Sequence, residues 1–472
     1  MQTILLHFVE TINTYLSDYI LIILLLSVGV WYSIKTRFVQ LRYFKQAMKQ
    51  AFGSINIHGG HHGQTMTSFQ ALSTAIAAQV GTGNIVGSAG AILIGGPGAI
   101  FWMWIIAFFG MATIYAEAIL AQKTRFRGKD GQMKAGPVYY IKQAFQGKLG
   151  EFLAGFFAIA ITFALGFFGS MVQSNSIGST MAQAFGIPSW LVGIALVLIC
   201  AFIFIGGLDR LAAVVEKIVP VMAIVFLLGG GILLIFRWRY IPATFAMIFK
   251  YAFYPQAIIG GSVASALKMA VSQGAKRGLF SNEAGMGSTP HAHGLAKVDN
   301  AHDQGMFAMI GVFFDTFVVL TLNALITIST LYTSGAILED GVAEGVSKVN
   351  LAQLAFGAVF GENIGNIFVA VCLLFFAFST ILSWNLFGKL NIDYIFKGKL
   401  TKAYSVITLI LIFLGTIASN DLVWELTDMF NNIMVIPNVL ALFALTKVVQ
   451  GALKDYENKK NIEVGDPIMI ED

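Results

Sequence analysis

The stretch Ser68–Gly96 (SFQALSTAIAAQVGTGNIVGSAGAILIGG) contains two segments of apolar or small residues, 68–78 and 85–94, separated by the polar, glycine-rich run Gln79–Asn84. The stretch is long enough to cross a bilayer, which takes about 20 residues, so the run falls near the bilayer centre. Unwound backbone is tolerated at that depth only where it lines a cavity or binds a ligand. Helices broken at the midplane hold substrate and coupling ions in many secondary transporters. The stretch therefore predicts a secondary transporter.

The composition of the whole chain supports a membrane protein. Of 472 residues, 57% are hydrophobic and only 12% are charged, with a mean hydropathy of +0.74. Soluble domains carry about 25% charged residues. We expect the lipid bilayer as a partner. We expect no nucleic acid, since the distribution of the basic residues is explained by the membrane topology. The first 18 residues lack a basic segment, so no cleaved signal peptide is expected, and Cys200 and Cys372 lie in apolar segments as free thiols.

Hydropathy and charge together predict the topology. With the N-terminus outside, 25 Lys and Arg residues fall in internal segments and four in external ones, as expected from the concentration of basic residues in cytoplasmic loops. The C-terminus is then cytoplasmic, and the predicted location is the plasma (inner) membrane of a prokaryotic cell. The predicted spans are eleven in number: 19–34, 67–95, 98–121, 151–175, 187–206, 212–236, 251–275, 305–333, 364–387, 404–419 and 426–446.

Many transporters with broken helices contain two inverted repeats of five helices. We therefore predict an all-α fold in which 1–66 holds one extra N-terminal helix and a cytoplasmic linker. Residues 67–250 and 251–446 then form the two repeats, and 447–472 forms a cytoplasmic tail.

The second repeat should also begin with a broken helix. Gly260, Gly261 and Ser262 supply a small-residue interruption in the seventh span, and they are predicted to contribute to the substrate site. The stretch Ser281–Ser288 is a competing candidate. It is placed instead in an internal loop, as a gate or hinge, because the Lys276-Arg277 pair before it would be costly inside the membrane.

Four motifs relate the sequence to a known family. They are Gly81–Asn84 (GTGN), Gly95–Gly110 (GGPGAIFWMWIIAFFG), Gly136–Tyr140 (GPVYY) and Arg277–Gly285 (RGLFSNEAG). Together they resemble the alanine/glycine:cation symporter family, also called the sodium:alanine symporter family, over about residues 67–446. The resemblance implies the leucine-transporter fold, Na+ as the coupling ion and small neutral amino acids, alanine and glycine, as substrates.

The break in the second span is the predicted substrate site. Helix ends at a break present unpaired N–H groups and a positive dipole end to a carboxylate. By analogy with the leucine-transporter fold, the N–H groups of Thr82 and Gly83 would hold the substrate carboxylate, with Asn84 beside them, and the carbonyls of Ala77 and Val80 would face sodium. The alternative is a glycine-lined contact between helices.

The ninth span carries two adjacent hydroxyl residues, Ser379 and Thr380. With the carbonyl of Phe376, these hydroxyls would complete a shell of neutral oxygens around a cation, a hypothesis that the fold resemblance favours. The alternative is that both hydroxyls bond back to their own helix.

Large side chains are predicted to limit the size of the substrate. Trp384 lies four residues after Thr380, on the same helical face, and would cap the pocket. Phe168 and Gln173 on the fourth span would contact the methyl group and a polar end of the substrate. The alternatives are an interfacial anchor for Trp384 and ordinary packing for the other two.

Ionisable residues inside apolar segments are candidates for function. Glu117 and Asp315 lie near internal ends of their spans, and Glu283 lies close to Arg277. We expect gate or structural pairs with Lys or Arg, the alternative being a proton relay. Solvated turns, rather than metal sites, are expected for the histidines in two clusters, which are His58, His61 and His62, and His291 and His293.

Other classes of function fit less well. The sequence shows no nucleophile–base arrangement and no HExxH motif for an enzyme, and its polar residues are localised rather than spread along a channel. A proton-coupled amino acid carrier differs from the sodium hypothesis only in the ion, and an ion channel is a second alternative. No organic cofactor is expected. The oligomeric state stays open, with a monomer compatible.

Overall fold

The structure is a computed structural model that describes residues 2–53, 65–129, 131–254, 263–333, 335–338, 345–418 and 420–458. The described α-helices are α1 (Gln2–Tyr15), α2 (Ile22–Lys35), α3 (Val39–Arg42), α4 (Phe44–Gly53), α5 (Ser68–Gln79), α6 (Ser88–Gly95), α7 (Ala99–Lys123), α8 (Pro137–Ala144), α9 (Lys148–Ile161), α10 (Ser170–Phe185), α11 (Ser189–Ile205), α12 (Gly207–Phe236), α13 (Ile241–Phe253), α14 (Val263–Asn282), α15 (Pro290–Leu295), α16 (Ala301–Val312), α17 (Thr321–Leu331), α18 (Leu351–Phe360), α19 (Glu362–Phe396), α20 (Thr401–Ile417), α21 (Asn420–Ala444) and α22 (Thr446–Glu457).

Several of these helices are joined by wider, π-helical turns, which often occur at functional sites. The π-helical segments are Leu16–Leu21, Gly83–Gly87, Thr162–Gly169 and Phe313–Leu320, and Trp238–Tyr240 forms a 3₁₀ turn. A short antiparallel hairpin joins β1 (Phe126–Arg127) and β2 (Met133–Lys134), with Phe126 opposite Lys134.

Within the described ranges, seven continuous helical segments are long and apolar enough to cross a membrane. The bent pair Ser68–Gln79 and Gly83–Gly95, with 41° between its halves, makes an eighth. Three shorter apolar helices, α11, α18 and α20, accompany them. The chain is thus a multi-pass membrane protein. The seven segments are Leu6–Lys35, Ala99–Lys123, Lys148–Phe185, Gly207–Phe236, Ala301–Leu331, Glu362–Phe396 and Asp421–Ala444.

The predicted spans agree with this architecture along most of the chain. Ten of the eleven overlap one of these apolar helices, while the total of eleven remains a prediction. The exception is 251–275, where α13 ends at Phe253 and α14 begins at Val263. The predicted break at Gly260, Gly261 and Ser262 lies outside the described residues.

The broken second span starts at a well-defined cap. The Thr67 hydroxyl accepts the Gln70 N–H at 3.0 Å, and the Gln70 side chain accepts the Thr67 N–H at 3.1 Å. This capping box satisfies two backbone donors that the first turn of α5 leaves free. From there α5 packs against α12 and α19 and reaches the middle of the protein.

Helices at the centre and at the rim differ in burial. The faces of α7 and α19 are largely covered by other helices, whereas α12 exposes apolar residues such as Val221, Ile224 and Leu228. Exposed apolar surface of this kind suits contact with lipid. The interrupted helices therefore lie in the interior, enclosed by helices that face the bilayer.

The stretch Ser281–Ser288, predicted to lie in an internal loop as a gate or hinge, is buried among the helices. Ser281 and Asn282 lie in the last turn of α14. The chain then leaves helical geometry until α15 begins at Pro290. The side chains of Ser281, Asn282 and Glu283 have no exposed surface. This segment, 283–289, is a second helix interruption at the centre of the protein.

Candidate functional site

The first interruption follows the end of α5. Val80 leaves helical geometry with φ −83° and ψ 83°. The Gly81 N–H then donates to Asn84 Oδ1 at 3.0 Å. Thr82, Gly83 and Asn84 are fully buried. The predicted break in the second span is therefore present, and the residues at the break are closed off from solvent.

The two interruptions meet. Gln79 Nε2 donates to the carbonyl of Asn282 at 2.8 Å. A Cβ atom at Gly83 would lie 3.0 Å from the Cα of Ser281, a distance that real Cβ contacts reach only if the neighbour shifts. A side chain here would push Ser281 away by a few tenths of an ångström, so glycine allows the two backbones to approach each other.

Buried ion pairs explain why α14 can carry Lys276 and Arg277 inside the protein. Lys276 Nζ lies 2.8 Å from Asp428 Oδ2, and Arg277 Nη2 lies 3.1 Å from the same oxygen. A buried charge is tolerated when it is paired. The free-energy cost of burying these two charges, which argued against a break after them, is offset by Asp428 of α21. Asp428 is about 150 residues away in sequence.

α19 contributes hydroxyls to the end of α5. The Thr380 hydroxyl donates to the Ala77 carbonyl at 2.7 Å and to the Phe376 carbonyl at 3.0 Å. The Ser379 hydroxyl donates to the Phe376 carbonyl at 2.9 Å. Both hydroxyls thus bond back to their own helix, as the simpler hypothesis stated, but Thr380 also bridges to α5. Four of the five oxygens predicted to bind sodium lie in this bonded group.

Gln173 of α10 faces the first interruption. Its Oε1 accepts the N–H of Thr82 at 3.1 Å, the same N–H that the analogy assigns to a substrate carboxylate. Three buried polar atoms nearby have no hydrogen-bond partner among the described residues: Gln173 Nε2, Thr82 Oγ1 and Gln79 Oε1. Unpaired buried polar atoms are costly, which makes the first interruption a candidate place for a polar ligand.

The predicted size-limiting residues occupy different environments. The Trp384 side chain is 1% exposed, and its ring lies edge-on to Phe280, with the centroids 5.7 Å apart. The ring of Phe168 stacks on Phe430 of α21 at 5.6 Å and is only partly buried. Trp384 packs against Gly169, the residue that follows Phe168, and an added Cβ at Gly169 would clash with the Trp384 ring.

Asp315 belongs to this site, although its position in the sequence suggested a gate. Its Oδ1 accepts Asn84 Nδ2 at 2.6 Å, and its Oδ2 accepts the Ser281 hydroxyl at 2.9 Å. The Thr316 hydroxyl donates to the same Oδ2 at 2.9 Å. The π-helical turns Gly83–Gly87 and Phe313–Leu320 bring Asn84 and Asp315 together.

The expected pairs between these carboxylates and basic residues are not found in the described parts of the chain. Glu117 accepts the N–H groups of Gly285 at 3.2 Å and Gly287 at 3.0 Å, and Asn438 Nδ2 at 2.6 Å. Glu283 accepts the Trp384 indole N–H. Neutral donors satisfy the acids, while Lys276 and Arg277 of α14 pair with Asp428 of α21. The predicted pairing of Glu283 with Arg277 rested on their proximity in sequence. The helix break directs Glu283 to Trp384, whereas Arg277 pairs with Asp428.

The second histidine cluster is also not solvated. His291 and His293 are buried in α15, and His291 lies between the rings of Phe157 and Phe387. Among the residues that the structure describes, no group of three His, Cys, Asp or Glu side chains could hold a metal. His58, His61 and His62 lie outside the described residues. Cys200 and Cys372 are buried free thiols, as predicted.

Two interrupted helices facing each other inside a multi-pass bundle define a membrane transporter of the broken-helix class. The sequence profile of the sodium:alanine symporter family matches residues 1–469, and the chain belongs to this family. Membership makes it a cation-coupled amino acid symporter.

Named relatives match nearly the whole chain. The chain is 37% identical to the sodium/alanine symporter AgcS of Methanococcus maripaludis, over 96% of this chain and 98% of that protein. It is 38% identical to the putative sodium/proton-dependent alanine carrier protein YrbD of Bacillus subtilis, over 96% and 93%. It is 36% identical to the probable sodium/glutamine symporter GlnT of the same organism, over 100% and 95%.

Solved structures support the fold. The chain is similar to MhsT in complex with L-phenylalanine, with a TM-score of 0.59 and 13% identity over 85% of this chain and 99% of that one. It is also similar to the Eremococcus coleocola manganese transporter, with a TM-score of 0.52 and 16% identity over 84% and 81%. The predicted resemblance to the leucine-transporter fold is confirmed.

Proposed function

We propose that this protein is a sodium-coupled symporter that imports alanine and glycine by alternating access. The observation that carries the proposal is the meeting of the two buried interruptions, 80–82 and 283–289, beside the hydroxyl pair of α19. A zwitterionic amino acid needs partners for both charges when it leaves water. Backbone groups freed by the two interruptions are available partners at this depth.

The substrate carboxylate binds at the first interruption. It takes the place of Gln173 Oε1 on the Thr82 N–H and also contacts the Gly83 N–H and Asn84. The Gln173 side chain, released from Thr82, turns its unpartnered Nε2 toward the substrate. Trp384 and Phe168 limit the volume beside the side chain, which suits alanine and glycine.

The sodium ion binds where α5 meets α19. Its ligands are the carbonyls of Ala77, Val80 and Phe376 and the hydroxyls of Ser379 and Thr380. Support comes from the hydrogen bonds that already hold Thr380 between Ala77 and Phe376. To accept sodium, the Thr380 hydroxyl turns its proton away and presents a lone pair. Hard cations prefer oxygen ligands of this kind.

Asp315 supports a second cation position. It is a fully buried carboxylate, it receives only neutral hydrogen-bond donors from the described residues, and it lies next to Asn84. An uncompensated charge in a dry interior is unfavourable, and a cation between Asp315, Asn84 and Ser281 neutralises it. A proton on Asp315 is the other way to remove the charge, so this residue is also the observation that favours a proton-coupled carrier as the second candidate function.

The predicted topology is retained in the proposal. Residues 67–250 and 251–446 form the inverted repeats, the N-terminus is external and the C-terminus is cytoplasmic, in a prokaryotic plasma membrane. The burial of Lys276 and Arg277 removes only these two from the basic residues counted in internal segments. The excess of Lys and Arg in internal over external segments therefore persists. A monomer is sufficient for transport, because both interruptions come from one chain.

Uptake by the purified protein in liposomes tests the proposal. An inward sodium gradient should drive accumulation of radiolabelled alanine, and replacement of sodium by choline should abolish it at constant pH. Accumulation driven equally well by a pH gradient without sodium would support the proton-coupled alternative. Equilibration of alanine without accumulation under either gradient would contradict coupled transport.

A further inference from the structure

The second interruption begins with a residue in an unusual backbone conformation. Glu283 has φ +59°, in the left-handed region, and its side chain is fully buried. The described non-glycine residues with positive φ are otherwise Arg37, Phe38 and Lys397, which lie at connections between helices. Such a conformation costs of order 1–3 kcal/mol and persists where surrounding contacts hold it, often at functional sites. The contacts of Glu283 are therefore informative.

The carboxylate of Glu283 joins the interruption to the pocket wall. Its Oε1 accepts the indole Nε1–H of Trp384 at 2.5 Å, and its Oε2 accepts the Ser288 hydroxyl at 2.5 Å. Ser288 lies in the same interruption, so one oxygen closes the turn on itself. The other oxygen reaches α19. The hydrogen bond to Trp384 links residues that are 101 positions apart in sequence.

Trp384 has a single polar atom, and Glu283 binds it. An indole N–H is a donor only, and a buried tryptophan is oriented by the acceptor that it finds. The rest of the ring is held by apolar contacts, edge-on to Phe280 and against Gly169. Apolar contacts are non-directional, so the hydrogen bond to Glu283 is the directional contact that selects the χ1 and χ2 angles of the Trp384 side chain.

We propose that Glu283 is a positioning residue that holds the Trp384 indole at the substrate pocket and thereby sets the size limit for the amino acid side chain. The inference rests on the proposed function, because it takes Trp384 as a wall of that pocket. The inference adds that the Trp384 ring is coupled to the second interruption through its hydrogen bond to Glu283. When the segment 283–289 changes conformation during transport, the Trp384 ring moves with it.

Three substitutions at Glu283 separate its hydrogen bond from its charge. Glu283→Gln keeps a side-chain oxygen at the same distance from the backbone, so the indole retains its acceptor. Glu283→Ala removes this oxygen, and Glu283→Asp shortens the side chain by one methylene. The measurement is the ratio of the leucine to the alanine inhibition constant, from competition against labelled alanine bound to the purified protein. We expect the ratio in Glu283→Gln to stay within about threefold of wild type. In Glu283→Ala and Glu283→Asp it should fall about tenfold or more, because a misplaced ring admits leucine.

A double-mutant cycle shows whether the effect passes through Trp384, since coupled residues give non-additive changes. In a Trp384→Phe background, which lacks the indole N–H, Glu283→Ala should change the ratio less than about twofold. Glu216→Ala is the matched control, since Glu216 is a buried acid that accepts Gln70 Nε2 at 3.1 Å, far from Trp384 in the chain. The control should keep the wild-type ratio.

Several results would overturn the inference. The first is an unchanged ratio of inhibition constants in Glu283→Ala and Glu283→Asp. The second is a tenfold fall of this ratio when Glu283→Ala is introduced into the Trp384→Phe background. The third is a fall as large in Glu283→Gln as in Glu283→Ala. Should Glu283→Ala not fold, Glu283→Asp and Glu283→Gln still give the comparison. A wild-type protein that binds leucine as tightly as alanine would instead contradict the proposed function, which keeps the two failures distinct.

Discussion

The hydroxyl of Thr380 lies 2.7 Å from the carbonyl oxygen of Ala77, and this contact joins α19 to the end of α5 just before the first interruption. The same hydroxyl lies 3.0 Å from the Phe376 carbonyl. A single side chain therefore brings together oxygens from two helices that are about 300 residues apart. Any cation bound here links the two helices, which is how ion binding can bias the shape of the substrate site.

Removal of both hydroxyls of α19 should weaken sodium binding. In Ser379→Ala/Thr380→Ala we expect the sodium concentration for half-maximal alanine uptake to rise about tenfold or more, since hydrogen-bonding partners of charged groups contribute about 1.5–3 kcal/mol. Alanine affinity at saturating sodium should change much less. Uptake in liposomes at varied sodium measures both quantities.

Thr408→Ala is the control for this double substitution. Thr408 is buried, and its hydroxyl bonds to the Tyr404 carbonyl of its own helix at 3.0 Å. The control should keep wild-type sodium dependence. Wild-type sodium dependence in the double variant as well would remove Ser379 and Thr380 from the ion site.

Asp315→Asn should lower the number of cations coupled to transport. The amide keeps the shape of the side chain but not its charge, so the second cation loses its anionic ligand. We expect a less steep dependence of uptake on sodium, and a rise of about tenfold in the half-maximal sodium concentration. Asp393→Asn, which breaks an ion pair with Lys134 outside this site, should leave the dependence unchanged. An equal loss of steepness in both variants would contradict the assignment.

Trp384→Ala should enlarge the pocket. Leucine should then inhibit alanine binding, while alanine itself should bind more weakly, because it loses its van der Waals contacts with the removed ring. Competition binding on purified protein measures both effects. Trp190→Ala, a change at a side chain with 49% exposure, serves as the control. Unchanged rejection of leucine in Trp384→Ala would refute the size-filter role.

Asp428→Asn should destabilise the protein strongly. Asp428 is the buried partner of Lys276 and Arg277, at 2.8 and 3.1 Å, and the loss of one partner of a buried ion pair costs about 3–5 kcal/mol. Asp421→Asn is the matched control, because Asp421 pairs with Lys348 at 3.4 Å but its side chain is 78% exposed. Exposed pairs contribute about 0–1 kcal/mol. Thermal unfolding in detergent should show a much lower Tm for Asp428→Asn only, and equal Tm values would contradict the account.

The first interruption could be predicted from sequence because its signal is local. Glycine, threonine and amide residues in the middle of an apolar stretch have few roles at the bilayer centre other than ligand binding. The α19 hydroxyls were likewise found from two adjacent polar residues in an apolar helix. In both cases the pattern lies within one span and needs no knowledge of its neighbours.

The second interruption could not be located in the same way. Its position depends on whether Lys276 and Arg277 can be buried, and that depends on Asp428, which only the folded chain brings beside them. The same is true of Asp315, whose carboxylate meets Asn84 across 231 positions. A carboxylate inside an apolar span was a signal of function, but its partners were not readable from the sequence.

Equilibrium binding of alanine to the purified protein at varied sodium tests the central claim most directly, because the proposed substrate and sodium sites adjoin each other on the same broken helix and should be coupled. Linkage requires that sodium raise the affinity for alanine by the same factor by which alanine raises the affinity for sodium. We predict a factor of about tenfold or more in both directions, with choline in place of sodium as the reference. An alanine affinity that is the same in sodium and in choline would contradict adjacent, coupled sites for the two ligands.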